Sequence, residues 1–134
     1  MATQVPTRRQ LRDVGLSVTK ALPNNTNNTS DPLDIGSGPF NPEELTVEVV
    51  VPAIAGHTTA NNLQIQLYHG DASNSLAVVS PLIECDVLGV VSDGSAAATF
   101  YYKLPPGTKR YVAWHNIATT DDCSAVSATY SLLV

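Results

Sequence analysis

The chain is predicted to fold as an all-β protein, an antiparallel β-sandwich, on three observations. Apolar and polar residues alternate with period two through residues 45–51 and 63–68, the pattern of strands with one face buried. Turn-forming clusters separate the apolar runs, at Gly56-His57, Gly70-Asp71-Ala72-Ser73, Ser92-Asp93-Gly94 and Pro105-Pro106-Gly107. No convincing helical pattern follows residue 22. Seven or eight short strands at this spacing read as a sandwich. Periodicity alone leaves open whether the topology is a jelly roll or immunoglobulin-like. Trp114 and two cysteines hint at the latter, but Cys85 and Cys123 do not bracket the tryptophan in the usual way.

Taken in order, residues 1–22 read as a basic arm. Thr7 and Gln10 have capping-box spacing, and Leu11, Val14, Val18 and Leu22 recur near helical period. Gly15 and the β-branched residues weaken a helix, so a short helical turn followed by extended chain is expected. Residues 23–32, Pro-Asn-Asn-Thr-Asn-Asn-Thr-Ser-Asp-Pro, read as a polar linker, because Asn, Ser and Asp bond their own backbone. The division is therefore an arm and linker over 1–32 and a sandwich body over 33–134. Within the body, strands are expected over 45–51, 63–68 and 76–79, with Pro81 marking an edge or a kink. Residues 82–91 form one strand broken near Gly89 or two short ones. Residues 96–104, 110–117 and 124–134 complete the count.

Composition narrows the function classes. At 134 residues and 14.2 kDa the chain makes one domain. It is 43% hydrophobic and only 14% charged, which excludes intrinsic disorder. No apolar run is long enough for a membrane span, and no apolar run follows Arg8, Arg9 and Arg12 to make a secretory signal. Residues 1–20 carry those three arginines and Lys20 against Asp13 alone, net +3, while the remainder carries three cations against eleven acids, net −8. A basic arm on an acidic body indicates an arm that docks on something negative. A body of that charge repels phosphates, so nucleic acid is not an expected partner. Two cysteines are too few for a disulfide scaffold, and reduced thiols are expected.

No catalytic constellation emerges. A nucleophile elbow, an H-E-x-x-H helix and a phosphate loop are all missing from the sequence. Gly36-Ser37-Gly38 fails the dinucleotide pattern and reads as a tight turn. His57, His69 and His115 lack the close pairing with other ligands that structural zinc sites use. Asp121 and Asp122 sit in a turn where Asp is favoured on conformational grounds. No cofactor and no metal is expected. Phe100, Tyr101 and Tyr102 must point to alternating faces of their strand, as must Tyr111 and Trp114. Tyr101, Tyr102, Tyr111 and Trp114 are therefore the expected oligomer interface.

Several segments carry a resemblance. They are Ser30-Asp31-Pro32-Leu33-Asp34-Ile35-Gly36, the alternating strand from Leu45, the run Asn62-Leu63-Gln64-Ile65-Gln66-Leu67-Tyr68, Leu104-Pro105-Pro106-Gly107-Thr108-Lys109-Arg110-Tyr111-Val112 and the terminal Leu132-Leu133-Val134. In this order the chain resembles the small capsid cement (decoration) proteins of tailed phages, over roughly residues 14–134. The resemblance implies a jelly-roll-like body with an extended N-terminal arm and no enzymatic activity. It also implies a homotrimer that binds the major capsid protein on the outer surface of the virion. Arg8, Arg9, Arg12 and Lys20 would then grip the shell. A carbohydrate-binding module with a platform of Tyr101, Tyr102 and Trp114 is the first alternative, and another head or tail component the next.

Overall fold

In the computed structural model, which describes residues 12–36 and 45–133, all regular structure is β. The ten strands are β1 (Arg12–Ala21), β2 (Asn27–Thr29), β3 (Leu33–Asp34), β4 (Thr46–Val51), β5 (Asn62–Ala72), β6 (Ser75–Val78), β7 (Glu84–Leu88), β8 (Ala98–Lys103), β9 (Tyr111–Ile117) and β10 (Ser127–Leu133). They form two antiparallel sheets. The four-stranded sheet runs β1-β10-β4-β8; the six-stranded sheet runs β2-β9-β5-β6, with β3 also on β9 and β7 also on β5.

The pairing decides the topology. β2 and β3 take turns beside β9, and β6 and β7 take turns beside β5, so eight strand positions exist. Numbered along the chain, the first pairs the eighth, the second the seventh, the third the sixth and the fourth the fifth. That is one long antiparallel ribbon. It is rolled so that β10 also pairs β4 and β9 also pairs β5. The result is the double-sheet arrangement of a jelly roll.

The body begins earlier than the sequence suggested. Arg12–Ala21, expected to be arm, form an edge strand whose residues 17–21 pair with residues 127–131 of β10. Asn27–Thr29 and Leu33–Asp34, expected to be linker or body start, pair with β9. The four-residue spacing from Val14 to Val18 is a period-two spacing as well as a helical one, and Leu16 and Val18 pack against the core.

Alternation sets the core. Val47, Val49 and Val51 of β4, Leu63, Ile65 and Leu67 of β5, Val112 and Trp114 of β9, and Tyr130 and Leu132 of β10 lie between the sheets, essentially without exposure. Each aliphatic side chain so buried contributes about 1.5–3 kcal/mol. Trp114 stacks on Tyr130 with centroids 4.9 Å apart and planes 7° from parallel. Its indole N–H donates to the Tyr102 hydroxyl at 3.0 Å. The Tyr130 hydroxyl donates in turn to the buried Asn116. Burial pushes both tyrosine hydroxyls well above the usual range. These hydroxyls let polar rings fill a core without leaving an orphaned group. Cys85 and Cys123 are free, buried thiols, each pushed up to about 11, first by burial and then by nearby carboxylates.

Candidate interaction surfaces

The four aromatic residues expected at an interface do not form one surface. Trp114 and Tyr102 point into the sandwich and belong to the core, Trp114 at 0% exposure. They are removed from the interface, and with them the expected sugar platform. Their strands belong to the two facing sheets, and the inward parity that the sequence allowed for either face falls on these two. Tyr101 and Tyr111 do face outward, but on different sheets. Tyr101 is 61% exposed and donates its hydroxyl to Glu48 at 2.9 Å. Tyr111 is half-buried under the Arg110 guanidinium, 5.1 Å from its centroid. That guanidinium forms a two-bond fork with Asp34, both contacts at 2.8 Å. The fork is the main reason the Asp34 carboxyl is held down at about 2.

The cations of the expected shell-binding arm fall into two groups. Arg8 and Arg9 lie outside the described residues. Arg12 is the first residue of β1, and Lys20 lies on the same strand opposite the buried Ala128. Opposite residues share a face, so Lys20 starts from the core side of an edge strand, its stem half-buried.

A different surface stands out. Of the six large hydrophobic side chains exposed among the described residues, five lie between Val78 and Val91. Val78 and Leu82 are 43% and 53% exposed, and Leu88, Val90 and Val91 are 57%, 47% and 65% exposed. Up to Leu88 the segment is the outermost strand position of the six-stranded sheet, where β6 and β7 run one after the other along β5, and Val90 and Val91 lie in the turn that follows β7. Between them Val79 tucks into the core and the Ser80–Pro81 peptide is cis. Of the two readings Pro81 allowed, an edge or a kink, the edge is the one the strand order shows. The apolar edge itself was missed. Its signal was the run Val87-Leu88-Gly89-Val90-Val91, too apolar for a strand with one wet face.

One buried polar cluster invites a catalytic reading. His57 and Asp121, 1% and 4% exposed, meet at 2.6 Å through His57 Nδ1 and Asp121 Oδ2. The hydroxyl and the backbone N–H of Thr59 donate to the same carboxylate oxygen, at 2.8 and 3.3 Å. His57 Nε2–H donates to the Val87 carbonyl at 2.7 Å. Both ring nitrogens are thereby committed, so the ring has no free nitrogen to take a proton from a nucleophile. The cluster is a clamp, tying the loop after β4 to β7 and to the β9–β10 loop. Asp121 thus does more than favour a turn. Burial pushes its carboxyl up, but the bonds from Thr59 and His57 outweigh that and leave it below the usual range. Among the described residues no group of three or more His, Cys, Asp or Glu side chains is placed to hold a metal ion.

Comparison with protein-family models, curated proteins and solved structures returns no match to this chain.

Proposed function

We propose that this protein is a non-enzymatic structural protein of a phage virion, a cement subunit that binds the outer surface of an assembled capsid as a symmetric oligomer. The observation that supports the reading most is the open apolar edge between Val78 and Val91. Water-exposed hydrophobic side chains gathered on one edge are what a protein–protein contact covers. The jelly-roll body and the resemblance of the sequence to cement proteins agree with it. In this reading the homotrimer and the major capsid protein share the work. The edge contacts a protein neighbour, and Arg8, Arg9 and Arg12 reach acidic patches on the shell through guanidinium–carboxylate forks. A subunit that binds only the assembled lattice stabilises that lattice by mass action. Linking three copies lets modest contacts suffice.

The test is light scattering coupled to size exclusion, followed by co-sedimentation with assembled heads. Three chains of 14.2 kDa give 42.6 kDa. Leu88→Asp with Val91→Asp should lower the mass or abolish sedimentation. Charge reversal of Arg8 and Arg9 should weaken attachment with a flatter salt dependence. Truncation at residue 20 is unsuitable, because it removes most of β1 from its sheet. Full attachment by both variants would sink the assignment.

A further inference from the structure

We propose that the outer face of the six-stranded sheet, centred on Tyr68, His115, Gln64 and Gln66, binds a neutral pyranose sugar. The inference does not rest on the capsid reading.

The argument begins with what the sheet projects outward. Tyr68 and His115 stand diagonally on β5 and β9, since Tyr68 pairs with Ala113 and Gln66 with His115. Their rings stack 4.8 Å apart at 21°. Both are half-buried, and Ala113 between them is fully covered although it faces outward. The two stacked rings therefore stand together over Ala113 on the outer face of the sheet. Thr29 Oγ1 lies 2.8 Å from His115 Nδ1 and fixes the imidazole from the other side. Burial lowers the tendency of His115 to take a proton, so at neutral pH the patch is uncharged.

Beside the rings lies an array of hydrogen-bonding groups already held in place. Gln66 Nε2 donates to Glu84 Oε1 at 2.9 Å, and Gln64 Nε2 to Glu84 Oε2 at 3.4 Å. Each amide spends one donor this way, which orients its carbonyl oxygen. The result is a strip of amide donors and acceptors around the Glu84 carboxylate, with Asp86 beside it opposite Gln64, next to a neutral aromatic surface. Its complement is a ligand with an apolar ring face and hydroxyl donors on its rim, which describes a pyranose. The carboxylates disfavour anions such as phosphates. The guanidinium on this face, Arg110, is already forked onto Asp34. Weak ligands bind best where little ordering remains to be done, and here rings and amides alike are fixed by neighbours on a rigid sheet.

The experiment is a titration of the full chain with methyl pyranosides of the gluco, galacto, manno and N-acetylgluco series, followed by backbone amide NMR. The expected result is saturable shifts confined to residues around 64–68 and 113–115, with a dissociation constant of order 1–10 mM for at least one sugar. Tyr68→Ala should weaken that binding about five- to tenfold, and Gln66→Ala should weaken it without touching the stack. Tyr101→Ala, on the other sheet, should leave it unchanged. Native Trp114 fluorescence verifies that each variant is folded. Three results would each overturn the proposal: no saturable shift with any of the four sugars, shifts mapping elsewhere, or binding indifferent to both Tyr68→Ala and Gln66→Ala. Failure of capsid binding leaves this test untouched, and the reverse also holds.

Discussion

Replacing Asp121 by alanine should cost this protein more than almost any other single polar substitution. The carboxylate oxygen Oδ2 takes three contacts, from the His57 ring, the Thr59 hydroxyl and the Thr59 amide. His57 is 1% exposed, so its Nδ1 would lose its partner with no water to replace it. Leaving the His57 ring and the two Thr59 donors without their shared acceptor costs about 3–5 kcal/mol, at about 1–3 kcal/mol per buried polar group, against a total stability of about 5–15 kcal/mol for a domain. For 134 residues the unfolding entropy is about 0.28 kcal/mol per kelvin at about 2.1 cal/mol/K per residue, so the melting temperature should fall by roughly 11–18 °C. The assay is urea unfolding followed by the single tryptophan, which is fully buried in the native state and so reports global unfolding. His57→Ala and the double variant complete a thermodynamic cycle, and a coupling above about 1.5 kcal/mol is expected for groups in direct contact. The sign with pH follows from the lowered carboxyl. The contribution of the clamp is complete above the ordinary carboxylate range and is lost as pH falls through the depressed value. A loss for Asp121→Ala below about 1 kcal/mol, or coupling near zero, would refute the clamp.

Two other outcomes follow from local geometry. Gly89→Ala places a methyl 2.2 Å from the Thr59 carbonyl oxygen and 2.6 Å from that of His57. It should lower the urea midpoint by the equivalent of about 1–3 kcal/mol, and a wild-type midpoint would show that the loop yields freely. Arg110→Ala removes the fork on Asp34, so an NMR titration should find that carboxyl rising from about 2 towards its ordinary 3.8. In the native protein this pair adds its stabilisation above the ordinary value and loses it as pH falls towards 2. An unmoved titration would show that the fork does not form in solution.

How far the sequence could be read depended on whether a strand's partner leaves a mark in the strand itself. β4 and β5 were legible, because a strand buried on one face writes period two into its own residues. β1 was not. Its pairing is with β10, 114 positions away in the Ser17–Ser131 contact, and Gly15, the basic residues and the register irregularity blur its pattern. β2 is three residues long in an Asn-rich stretch, and β3 is only two residues long, just past Pro32. β9 supplies the order that the composition of β2 argues against and that two residues of β3 are too few to signal. The same limit governs the candidate surfaces. Parity correctly put Tyr101 opposite Tyr102 and Tyr111 opposite Trp114, yet it could not say which parity faces the other sheet. The His57–Asp121 clamp spans 64 positions and leaves no local trace. The edge between Val78 and Val91 was visible as an excess of apolar residues, and was passed over because each residue fitted some strand.

The rolled ribbon also has a kinetic consequence. Among the described residues its only short-range closure is the tight turn between β5 and β6, where Ala72 faces Ser75. Every other rung of the ribbon joins residues progressively farther apart, out to Ser17 and Ser131. Loop-closure entropy rises with each step, and contact-rich but non-local β-proteins fold in about milliseconds to seconds. Folding should therefore zip outward from the β5–β6 turn, with β1 docking on β10 as the final event. Until it does, the inner strand β10 exposes an unpaired edge. That makes the interval before β1 docks the moment when this chain is most open to pairing with a copy of itself.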